Sequence, residues 1–103
     1  MRNRKHYRAT TTKQLQGRIH RWIKKIGVQP KEVHIRPMKC KWASCSTAGR
    51  VSFSKDLLKQ KPSFCDYVIV HELLHLEVPN HGKLFKSLMR AYVPNWEKID
   101  GKR

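Results

Sequence analysis

Acidic residues are scarce in this chain: 7 Asp and Glu stand against 23 Lys and Arg in 103 residues, a formal net charge of +16. No acid occurs before Glu32, while the first 31 residues carry ten basic side chains. Long apolar runs are missing too. The longest, Tyr67-Val68-Ile69-Val70, meets His71-Glu72 at once and falls far short of the roughly 20 residues of a membrane helix. The start, Met1-Arg2-Asn3-Arg4-Lys5-His6, has none of the apolar character of a secretion signal. Paired cysteine spacings are absent as well. Cys40, Cys45 and Cys65 cannot complete a disulfide framework, and no C-x₂-C pair exists to build a zinc finger. Free thiols in a reducing, cytoplasmic compartment are expected, with no membrane association.

The remainder suits one small folded domain spanning 1–103, with a basic tail over 1–9 and a C-terminal tail over 95–103. Hydrophobic residues make up 39% of the chain, too many for a disordered polycation. The basic N-terminal block favours polyanions, so nucleic acid is a candidate partner. A solvated helix face is the plainer reading of the same charge. A mitochondrial presequence fits poorly, because the block lacks Ser and its removal would leave too little chain for a core.

Periodicity gives an α+β order. Leu15, Ile19, Trp22, Ile23 and Ile26 recur at helical spacing, after N-cap hydroxyls at Thr10–Thr12 and before Gly27 as a C-cap. Short strands are expected at Val33–Arg36, Lys39–Cys45 and Val51–Ser54, with a turn at Ser46–Gly49 and a short helical piece over Lys55–Lys59. Ser63 is the candidate N-cap of a second helix running from Phe64 to about Glu77. Its near-continuous apolar pattern marks a buried central helix. A last helix over Gly82–Tyr92 carries Leu84, Phe85, Leu88 and Met89 as its stripe. The tail from Asn95 to Arg103 reads as loose.

The buried helix contains His71-Glu72-Leu73-Leu74-His75, an H-E-x-x-H motif. Residues four apart on a helix lie about 40° apart around the axis and about 6 Å along it, so both imidazoles reach one cation. Chance produces this pattern about once in a hundred chains of this composition. Ionisable groups inside an apolar helix are costly unless paired or metal-bound, which favours a metal over two ordinary histidines. A catalytic zinc takes three protein ligands and keeps one position open. His71 and His75 supply two, with one Zn²⁺ per chain expected. His81 is the best third candidate, because Val78-Pro79-Asn80 breaks the helix and lets the chain return. Glu97 is a rival, and Glu77 is discounted because it lies on a divergent helix face. Glu72, beside the first ligand, is placed to act as general base on a metal-activated water.

His71–His75 together with His81-Gly82-Lys83-Leu84-Phe85 resembles the SprT-like zinc metallopeptidases, whose pattern is H-E-x-x-H followed by H-G-x-x-F. Arg36-Pro37-Met38-Lys39 and Trp42-Ala43-Ser44-Cys45 resemble the R-x-M-K and W-G-S-C stretches of the YgjP-like relatives. The small minigluzincins have a similar length. Ala43 and Ser54 depart from the usual Gly and Asn. The resemblance covers roughly Val33 to Trp96. It implies a minimal zincin-like fold: an N-terminal helix, a small three-stranded sheet, an active-site helix and a C-terminal helix.

It also implies a zinc-dependent endopeptidase acting on protein or peptide substrates. In such a fold an edge strand, here Trp42–Cys45 or Val51–Phe53, would bind extended peptide. Family members linked to DNA-associated substrates make nucleic-acid-associated proteins candidate targets. Latent relatives make the tail a candidate plug, with Trp96 as anchor and Glu97 or Asp100 near the metal. Tyr67, Arg90, Tyr92 and His34 are open candidates for stabilising the oxyanion. Cys45 is expected to be a small buried hydrophobe, and the chain a monomer. The contrasting expectation is a basic nucleic-acid-binding module with a non-catalytic zinc.

Overall fold

The computed structural model describes residues 11–100; the basic segment 1–9 and the last tail residues, 101–103, lie outside the described residues. Helix α1, Thr12–Ile26, leads to strands β1, Glu32–Arg36, β2, Ala43–Cys45, and β3, Arg50–Ser54. A 3-10 turn, Lys55–Lys59, precedes helices α2, Pro62–Leu74, α3, Lys83–Tyr92, and α4, Trp96–Asp100. Among the described residues this is the α+β order expected, with one three-stranded sheet and, beyond the expected helices, the short α4.

Local chemistry sets the ends of α1. The Gln14 amide donates to the Thr11 hydroxyl at 3.1 Å, and the Thr11 amide donates to the Gln14 side chain at 2.9 Å. This reciprocal box satisfies two otherwise orphaned amides. At the far end Gly27 adopts φ 83 and its N–H reaches the Ile23 carbonyl. A left-handed residue at that position costs glycine nothing.

The sheet order is β1-β3-β2, with β1 parallel and β2 antiparallel to β3. The Ser46–Gly49 turn joins β2 to β3. There the Ser46 hydroxyl accepts from the Ala48 and Arg50 amides at 3.2 Å each. Its Gly49 has φ 88 and its carbonyl accepts from the Lys31 amide at 2.8 Å. Strand β3 alternates in sequence, yet Val51, Ser52, Phe53 and Ser54 are all buried. It lies between two strands, and the Arg36 guanidinium covers Ser52 with a 3.3 Å hydrogen bond. β2 is shorter than the expected Lys39–Cys45 because Cys40, at φ 62, breaks the extended backbone.

Helix α2 passes through the core, with Cys65, Tyr67, Val68, Ile69, Val70, Leu73 and Leu74 buried. It starts earlier than expected. Pro62 occupies the first helical turn and Lys61 the N-cap, without a side-chain bond. Proline there has its φ already set and loses no hydrogen bond, so Ser63 falls inside the helix. Asp66 is freed from capping. One of its oxygens accepts from both the Arg18 guanidinium and the Trp22 indole N–H, each at 2.8 Å, tying α1 to α2. The helix also ends earlier, at Leu74. Leu76 and Glu77 donate back three residues, and Val78 reaches the Leu74 carbonyl at 2.8 Å. The chain tightens into a turn ahead of Pro79.

In α3, Phe85 and Met89 are buried while Leu84 is 61% exposed. Leu84 lies about 100° around the helix from Phe85 and falls outside the buried stripe expected to include it. The segment after Pro94 is helical rather than loose. Trp96 and Ile99 of α4 pack on the core, and the Tyr67 hydroxyl hydrogen-bonds Asp100. None of the described helices is long and apolar enough to cross a membrane.

Ile69→Ala removes a side chain with 0% exposure and is expected to lower stability by about 2–5 kcal/mol. Leu84→Ala should stay within about 0.5 kcal/mol. Urea denaturation of both variants checks the contrast.

Candidate active site

Three imidazoles converge where α2 ends and α3 begins. His71 and His75 are half-buried and His81 is exposed, and each offers a ring nitrogen within 4.8 Å of the others. The helical spacing sets the first two. The tightened turn after Leu74 and the break at Pro79 bring the third back over them.

Two of the three histidines are held from behind, His71 by Glu72 and His75 by Val78. The His75 Nδ1–H donates to the Val78 carbonyl at 3.1 Å, which leaves Nε2 with its lone pair directed into the cluster. That is the usual way a ligating histidine has its tautomer fixed. The Nε2 atoms of His75 and His81 lie 2.9 Å apart. Such a contact is satisfied by a shared proton or by a cation that both nitrogens bind. Phe85 packs under all three: it stacks on His75 at 4.8 Å and 20°, and meets His71 and His81 edge-on at 5.3 and 4.8 Å.

Burial lowers the His81 pKa from the ordinary histidine value, and the neighbouring His75 and His71 lower it further. All of these effects favour the neutral imidazole, the form that binds a metal. Three imidazoles without a carboxylate suit a borderline cation such as zinc, so the residues present fit a metal.

Glu72 lies beside the cluster, and His71 Nδ1 donates to its Oε2 at 3.1 Å. Both residues open into a cavity of about 250 Å³ lined also by Tyr67 and Val68 of α2 and by Cys40, Lys41, Trp42 and Ala43. The second wall leads into β2, an edge of the sheet, whereas β3 is central. Of the two strands considered for binding extended peptide, only β2 therefore has a free side. Trp42 anchors this wall edge-on against Phe64 at 5.0 Å, and its carbonyl accepts from the Ser54 amide at 2.8 Å.

The remaining candidates separate. Glu97 pairs with Arg90 at 3.5 Å, and neither it nor Glu77 belongs to the histidine cluster. Glu77 borders a different cavity, next to Gly27 and Gly49. His34 pairs with Glu32 on β1, and Tyr92 meets Trp22 at 6.1 Å. Of the four oxyanion candidates only Tyr67 borders the cavity, and its hydroxyl is bonded to Asp100. Cys45 is half-buried rather than core; burial raises its pKa, as does the nearby Glu72 carboxylate. Cys65 is the buried thiol, donating to the Leu57 carbonyl at 3.3 Å. Sequence reasoning missed Lys41 and Cys40 as cavity residues. The R-x-M-K stretch just before them was the available signal.

Residues 2–102 match the YgjP-like, metallopeptidase domain family. The chain belongs to that family. This YgjP-like chain is a metallopeptidase, and its family implies a metal cofactor. Its fold is also that of two crystallised metallopeptidase zymogens. Jannalysin of Methanocaldococcus jannaschii is 24% identical, with a TM-score of 0.75, over 85% of this chain and 91% of that one. Abylysin of Pyrococcus abyssi is 22% identical, with a TM-score of 0.73, over 85% of this chain and 90% of that one. Comparison with curated proteins gave no match.

A cation on these nitrogens competes with protons. The lowered His81 pKa keeps that residue neutral at pH values where an ordinary histidine, near about 6.5, is already half protonated. Metal content, followed by elemental analysis after dialysis at graded pH, should therefore hold near neutrality and fall only on acidification below about 6.5.

Proposed function

We propose that this protein is a zinc-dependent endopeptidase in which His71, His75 and His81 hold one ion and Glu72 is the general base. The observation that carries this reading is the convergence of three imidazole nitrogens, one of which, on His71, shares an open cleft with the Glu72 carboxylate. A zinc held by these histidines would supply Lewis acidity and lower the pKa of a water enough for it to be deprotonated near neutral pH. Glu72 takes the proton of the attacking water and returns it to the leaving amine. The 3.1 Å bond from His71 keeps that carboxylate at the cleft. An extended peptide lies along β2, whose free backbone groups offer strand-addition hydrogen bonds.

Zinc per chain and chelator-sensitive casein cleavage test the assignment together. Glu72→Gln should retain zinc and lose at least about a hundredfold in kcat, the lower range for removing a general base. His81→Ala should weaken zinc retention and abolish cleavage. Cleavage surviving in Glu72→Gln would overturn the role of the base, and full zinc retention in His81→Ala that of the ligand.

A second reading, latency through the C-terminal segment, is favoured by the Tyr67–Asp100 bond, which places α4 against a cleft residue. The structurally similar zymogens support the same idea. Truncation after Pro94, or Asp100→Ala with α4 otherwise intact, should raise casein cleavage; unchanged rates in both folded variants would remove it. The exposed Lys13, Arg21, Lys24 and Lys25 of α1 support docking near nucleic acid, where bound proteins would be the substrates. DNA affinity that falls steeply between low and moderate salt is the expected signature.

A further inference from the structure

Lys41 lines the cleft together with His71 and Glu72. His71 and Glu72 bond to each other. Lys41 is exposed and forms no ion pair among the described residues. Its place in the wall is fixed on both sides. Cys40 before it turns through φ 62, and Trp42 after it is clamped by Phe64 and by the Ser54 amide. Ala43, two residues on, begins the edge strand β2. A peptide beside β2 advances about 3.3 Å per residue with alternate side chains on one face. The flexible four-carbon stem of Lys41 can follow a substrate side chain that enters this end of the cleft.

We infer that Lys41 is a specificity-determining residue that selects peptides with an Asp or Glu at the position entering the cleft beside it. This rests on the endopeptidase reading above. The whole-chain charge of +16 adds to the preference, because a positive field raises the local concentration of acidic ligands. Lys41 meets a carboxylate of the substrate, not the reacting carbonyl, so its effect depends on substrate charge.

The test uses three peptides identical except for Glu, Gln or Lys at one position, scanned across the sites flanking the cleaved bond. At one flanking position the zinc-loaded protein should favour Glu over Lys in kcat/KM by about fivefold at low salt, as for an exposed ion pair. The gap should narrow as salt rises, and Lys41→Glu should invert the order. A Glu-to-Lys ratio of one at every position, or a ratio left unmoved by Lys41→Glu, would overturn the inference. An equal loss on all three peptides would do the same, pointing to a structural or oxyanion role. Fluorescence binding of the same peptides to Glu72→Gln, with and without Lys41→Glu, reads the preference without turnover. Absence of cleavage of every peptide would count against the endopeptidase reading, while the binding ratio still decides the role of Lys41.

Discussion

Helix α2 and its C-cap residue must carry two imidazoles and a carboxylate at the end of a segment that is otherwise buried, and the rest of the molecule is arranged around that constraint. Desolvating such groups costs several kcal/mol each unless partners compensate, on the order seen for buried charges. Here the cost is met at one end of the helix only. His71, Glu72 and His75 sit where α2 leaves the core, opposite the gap beside the β2 wall, while Val68, Ile69, Val70, Leu73 and Leu74 fill the interior around them. The helix stops as soon as its second histidine is in place, and the tightened turn supplies both the Val78 carbonyl that orients His75 and the reversal that returns His81. Termination of the helix and assembly of the site are one event.

The three-stranded sheet has a corresponding economy. A sheet this small exposes two edges, and each has a different neighbour. β1 lies parallel to β3 and is tied to it through Glu32, whose carboxylate accepts from Arg50 at 3.3 Å and contacts His34 at 2.7 Å. Those contacts hold the Glu32 pKa below the usual carboxylate value, led by the His34 bond. β2 is three residues long, and the segment leading into it forms a wall of the cleft. Edge strands are usually blunted against unwanted pairing. This one is kept short and preceded by a left-handed residue, which limits pairing to a brief stretch next to His71 and Glu72.

Much of this was legible in the sequence, because the signals were local. The spacing of Leu15, Ile19 and Trp22 gave α1 together with its caps, and H-E-x-x-H on an apolar background gave the helix and two of its three converging histidines. His81 was accessible because Pro79 forces a turn at a fixed distance from His75. What stayed hidden depended on competition or on partners distant in the chain. Ser63 reads as a cap, but Pro62 starts the helix first. Asp66 then serves α1, 44 and 48 residues away in its two hydrogen bonds, a pairing no local pattern announces. Leu84 fits the apolar stripe by type and misses it by angle. Lys41 is one of 23 basic residues, and only the closure of β2 over α2 distinguishes it.

The single Asp66 oxygen that accepts from both Arg18 and Trp22 couples the seating of α1 to the position of α2. Because both donors share one acceptor, sliding α1 far enough to lose either bond strains the other, and His71 lies only five residues along from that junction. Trp22 is also held on its other faces, by Tyr92 at 6.1 Å and by the Lys25 ammonium at 5.1 Å. Its indole therefore senses three neighbours at once: a carboxylate on the active-site helix, a ring on α3 and a cation on its own helix. Once its emission is separated from that of Trp42 and Trp96, this side chain is a built-in fluorescent gauge of whether the basic helix α1 is seated on α2.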